Sequence, residues 1–83
     1  MKHAGGDALD GIEELLAEIR AHAGLVEKGR GVFYRRSRAF LHFHEDPAGL
    51  FADVRPEESW IRTPVNTPAE RKRLLAIIAG AAG

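Results

Sequence analysis

The chain has 83 residues, 45% of them hydrophobic and 29% charged, a composition that predicts one ordered domain with a marginal core rather than a disordered segment. Twelve Lys and Arg balance twelve Asp and Glu, so no global charge draws the chain to nucleic acid or to an acidic surface. The absence of cysteine excludes disulfides, thiolate catalysis and Cys-based zinc sites.

Residues 1–6 read as a flexible tail with no apolar region of the signal-peptide kind, and no apolar run approaches the roughly 18 residues needed to span a bilayer. The expectation is a cytoplasmic protein with no membrane partner. A single domain is predicted over 7–80, with a frayed end at 81–83. Asp7 is a candidate helix cap. Leu9, Ile12, Leu15, Leu16, Ile19 and Ala23 recur at helical spacing, so an amphipathic helix is predicted to end near Ala23 and Gly24, weakened slightly by Gly11. Residues 25–31, with Gly29 and Gly31, read as a connection into a sheet.

Val32–Arg35 is β-prone, and Arg36-Ser37 is a possible turn without the Asn-Gly signal. Ala39–Glu45 is the second predicted strand. Asp46-Pro47-Ala48-Gly49 is a strong turn, because Pro presets φ, Asp bonds the local backbone and Gly permits the exit conformation. Leu50–Arg55 follows as the third strand. Trp60–Thr63 reads as a short fourth strand stopped by Pro64. Thr67-Pro68-Ala69-Glu70 then carries a capping box with Pro at the first helical position, and a helix through Leu74, Leu75, Ile77 and Ile78 is predicted to end near Gly80. The predicted class is α+β: a three- to four-stranded antiparallel sheet with N- and C-terminal helices packed on one face, in the order α-β-β-β-(β)-α.

Pairing across the 46–49 turn sets Glu45 opposite Leu50, His44 opposite Phe51, Phe43 opposite Ala52, His42 opposite Asp53 and Leu41 opposite Val54. A turn at Arg36-Ser37 sets Tyr34 opposite Ala39, Phe33 opposite Phe40 and Val32 opposite Leu41. Alternation then predicts a core face of Val32, Tyr34, Ala39, Leu41, Phe43, Leu50, Ala52 and Val54. The second face carries Phe33, Phe40, His42, His44, Phe51 and Asp53, flanked by Arg35 and Arg55. A solvated sheet face is ordinarily polar. Three Phe rings, each worth roughly 1.5–3 kcal/mol if buried, imply a cover: the Trp60 segment, a second copy of the chain, or a ligand.

His42 and His44 project the same way from one strand, and Asp53 opposite His42 makes a set suited to acid–base chemistry or metal binding. Only two His and one carboxylate converge in this reading, with His3 and His22 far away in sequence, so neither a metal nor another cofactor is assigned. Trp60 is a packing anchor or a pocket wall. Arg30, Arg35, Arg36 and Arg38 gather around the first hairpin beside Phe33 and Tyr34, a pattern that binds single-stranded nucleic acid by charge and stacking. No fold signature of a nucleic-acid-binding domain accompanies it, so that partner is disfavoured. Ser37 and Ser59 lie in no nucleophile elbow, and no phosphate-binding or dinucleotide fingerprint is present, which weighs against an enzyme.

The spacing Phe33…Phe40-Leu41-His42-Phe43-His44…Gly49-Leu50-Phe51-Ala52-Asp53-Val54…Ser59-Trp60 resembles small bacterial proteins of the luciferase-domain family, and the arrangement is similar to YjbR-type α/β proteins. The chain lacks the longer insert those proteins carry before the Trp. In the first family a fungal branch oxidises a pyrone with oxygen. The resemblance implies only that His42, His44, Asp53 and Trp60 share a pocket. Three functional expectations follow. The first is a domain that self-associates or binds a protein partner through Phe33, Phe40 and Phe51. The second is a small-molecule binder or minor oxidative enzyme using His42, His44 and Asp53. The third is a nucleic-acid accessory using the arginine-rich hairpin.

Overall fold

A computed structural model describes residues 2–82; Met1 of the expected tail and Gly83 of the expected frayed end lie outside the described residues. The elements are β1 (Lys2–His3), α1 (Gly6–Asp10), α2 (Glu13–Arg20), β2 (Leu25–Gly29), β3 (Val32–Arg35), β4 (Arg38–Asp46), β5 (Gly49–Val54), β6 (Ile61–Pro64) and α3 (Pro68–Ala82). Five strands follow one another in the order β2-β3-β4-β5-β6, and β1 pairs with β4 off that path. Every pairing is antiparallel. The class is therefore the α+β sheet that the sequence predicts, with more strands than three or four.

Local chemistry explains much of this. The β4–β5 hairpin holds all five expected pairs from Glu45–Leu50 to Leu41–Val54. Asp46 Oδ1 accepts from the Ala48 backbone N–H at 3.0 Å, so the aspartate side chain closes the turn as its type suggests. At the start of α3, the Glu70 N–H donates to Thr67 Oγ1 at 3.1 Å. The Thr67 N–H donates back to Glu70 Oε1 at 3.1 Å, completing the capping box.

Four expectations change. The single N-terminal helix is two, broken at Gly11-Ile12, and α2 stops at Arg20 rather than Ala23. Residues 25–29 form an edge strand instead of a connection. Residues 2 and 3 of the expected tail form β1, with Lys2 opposite Glu45 and His3 opposite His44. The fourth is a change of register. Tyr34 faces Ala39 as expected, but Phe33 faces Leu41, because an irregularity between these pairs leaves Phe40 as an extra residue on β4. A bulge of this kind changes the parity of one strand against its neighbour.

That bulge decides the core. Phe33, Phe40, Leu41 and Phe43 are all buried, with Leu9, Leu15, Leu16 and Ile19 from the first two helices, Ile12 from the break between them, and Leu74 and Ile78 from α3. Phe33 and Phe40 therefore belong to the helix-covered core, not to the second face. Val32, Tyr34 and Ala39 are displaced from the expected core and are only half-buried. The packing reason is size: two large rings on the helix side fill the layer that Tyr34 and Ala39 would have occupied. No helix among the described residues is long and apolar enough to cross a membrane.

Candidate functional site: a histidine cluster on the open sheet face

The face away from the helices carries His42 and His44 on β4, Phe51 and Asp53 on β5, and Arg62 opposite Asp53 on β6. His3 joins them from β1, directly opposite His44. Its ring stacks on His44 at 4.9 Å between centroids and lies 5.7 Å from His42, while His42 and His44 meet edge to face at 4.7 Å. One donor nitrogen from each of the three rings lies within 4.8 Å of the other two. The expectation that no third histidine joins His42 and His44 therefore gives way. Its reason was sequence separation, which says nothing about an N-terminal strand that returns to the middle of the sheet.

The local backbone holds His3 in place. The Ala4 N–H donates to the Phe43 carbonyl at 3.0 Å, and the Gly5 N–H donates to Glu45 Oε2 at 2.5 Å. Trp60, just before β6, packs its indole 5.0 Å from the His42 ring, and the Arg55 guanidinium sits 4.9 Å above the indole. Trp60 is 42% exposed, so it forms one wall of the cluster rather than a lid over the whole face.

Two further features set the electrostatics. Asp53 is only 7% exposed, and Arg62 donates to both of its oxygens, Nε to Oδ1 at 2.7 Å and Nη2 to Oδ2 at 2.9 Å. This fork holds the carboxyl below its ordinary value despite burial, which opposes it. His44 Nε2 lies 3.0 Å from Asp53 Oδ2, buried but off the line of a formed hydrogen bond. His42 Nδ1 is also buried and has no hydrogen-bond partner among the described residues. Burial, and then the charge of His44, hold His42 below the usual imidazole value, with Asp53 acting in the opposite sense. The balance favours the neutral form of the His42 ring.

The other expected site residues divide. Phe51 is half-buried and remains beside His44 on the open face. Of the arginine group, Arg35, Arg36 and Arg38 line one surface depression with Arg55, Glu57 and Glu58, and Arg30 stands apart. Arg30 lies at the opposite end of β3 from Arg36 and pairs with Asp10 and Glu13, both at 2.8 Å. Arg35 donates to the Ala81 and Pro56 carbonyls and stacks on Phe40 at 5.0 Å, which makes it a tether for the end of α3. Arg36 and Arg38 remain exposed at the hairpin tip. Compared with known proteins, the chain matches no protein-family model, no curated protein and no solved structure.

Proposed function

We propose that this protein is a binding module for a single transition-metal ion, held by His3, His42 and His44. The observation that carries the reading is the convergence of three imidazole nitrogens within 4.8 Å of one another, on strands whose register is set by backbone pairing. In a tetrahedral site with metal–nitrogen bonds of about 2.0–2.1 Å, ligand nitrogens stand about 3.4 Å apart. Side-chain rotation on a fixed backbone supplies the difference. Three imidazoles without a carboxylate or thiolate favour zinc, copper(II), nickel or cobalt over magnesium or calcium. Among the described residues no fourth side chain joins the set, so water or an exogenous donor would complete the sphere.

The test uses the only tryptophan of the chain. Trp60 stands 5.0 Å from the His42 ring, so copper(II) should quench its fluorescence with one-to-one saturation. Zinc should raise the melting temperature, by about 2.7 kcal/mol of added stability at a free zinc concentration one hundred times Kd. His42→Ala should abolish both responses, and His22→Ala, outside the cluster, should preserve them. Equal quenching and equal zinc stabilisation in the wild type and His42→Ala would refute the proposal.

A further inference from the structure

Resting on the metal-binding reading, we infer that Asp53, clamped by Arg62, is a positioning residue: it holds the ring proton of His44 on Nε2, so that Nδ1 is the nitrogen presented to the ion. Metal-ligating imidazoles commonly donate their second N–H to a carboxylate, which fixes the tautomer and the ring orientation. The parts are in place here. Asp53 Oδ2 is 3.0 Å from His44 Nε2, and that nitrogen has no other partner among the described residues. The distance is that of a hydrogen bond, and alignment of the ring would complete it. Asp53 itself stays outside the three-nitrogen set. Arg62 accounts for this, because its two donor bonds hold the carboxylate in one orientation from the neighbouring strand.

The arrangement predicts an unusual response to Asp53→Asn. Arg62 can only donate, so it takes the amide oxygen. The amide NH2 then turns towards His44 Nε2 and requires that nitrogen to accept. The ring proton moves to Nδ1, which blocks the lone pair meant for the metal. A neutral change of nearly the same shape thus inverts the tautomer, whereas simple loosening of the fold would blur it.

The experiment is a long-range proton–nitrogen NMR spectrum of the metal-free protein at about pH 8, above the ordinary imidazole range, together with zinc affinity by competition titration. The wild type should show the His44 proton on Nε2, and Asp53→Asn should show it on Nδ1 with zinc affinity 10–100-fold weaker. Arg62→Ala, at a half-exposed position, keeps the carboxylate; it should keep the Nε2 tautomer and lose less affinity than Asp53→Asn. The wild-type tautomer needs no variant, so a misfolded Asp53→Asn still leaves a decisive measurement. A wild-type proton on Nδ1 overturns the inference. So does zinc binding by Asp53→Asn within twofold of the wild type, which would leave the metal site standing. A wild type that binds no zinc overturns the metal reading and this inference together.

Discussion

Phe33→Ala separates a core ring from a surface ring, and its size can be worked from the packing. Phe33 is 1% exposed and sits opposite Leu41 in the layer beneath the helices. Truncating such a ring costs about 3–5 kcal/mol, from lost transfer energy and the cavity left behind. A domain of 83 residues has a total stability of about 4–12 kcal/mol at 0.05–0.15 kcal/mol per residue. The change therefore removes a large part of the stability. With an unfolding entropy of about 2.1 cal/mol/K per residue, each kcal/mol is about 6 °C here, so the melting temperature should fall by about 17–29 °C. Phe51→Ala is the matched control. Its ring is half-buried on the open face beside His44, so a loss of about 1 kcal/mol and about 6 °C is expected. Thermal melts followed by circular dichroism, with light scattering on the same samples, read both. If Phe33→Ala melted within about 5 °C of the wild type and converted a dimer to a monomer, Phe33 would be an interface residue and the bulge assignment wrong.

Two further outcomes follow from the geometry. Arg36 and Ser37 both have positive φ, 52° and 67°, a conformation that favours Asn and Gly in a two-residue hairpin. Replacing the pair with Asn-Gly should raise the urea midpoint, with about 1–2 kcal/mol of added stability; a midpoint equal to or below the wild-type value would contradict the turn assignment. The carboxyls of Asp53 and Glu27 are held low, chiefly by Arg62 and Arg20 respectively. A depressed carboxyl contributes stability above its unfolded value, near pH 4, that is lost as pH falls below it. Urea midpoints should accordingly drop between pH 5 and pH 3, and a midpoint that holds constant across that range would count against these pairs.

The candidate site was half legible in the sequence. His42, His44 and Asp53 share a face because the turn at 46–49 has chemistry strong enough to set its own register, and period-two alternation does the rest. His3 was not legible. A two-residue strand has too little length for a β signal, and its partners are about forty residues away along the chain. The Lys2-His3 pair alternates with nothing, so only the sheet shows where the third imidazole goes. Arg62 was missed for a related reason: it lies beside Asp53 only once β6 is paired to β5.

Local chemistry thus determined the β4–β5 hairpin and the capped start of α3, since both rest on hydrogen bonds between residues at most a few positions apart. Tertiary structure decided which way the aromatic rings point. Phe33 and Phe40 obey no local rule that would place both on the helix side; the register irregularity in β4 does, because the space under α1, α2 and α3 must be filled by large side chains. The same long-range pairing turned an aromatic face into one centred on histidines, by taking two Phe rings into the core and bringing His3 back across the sheet.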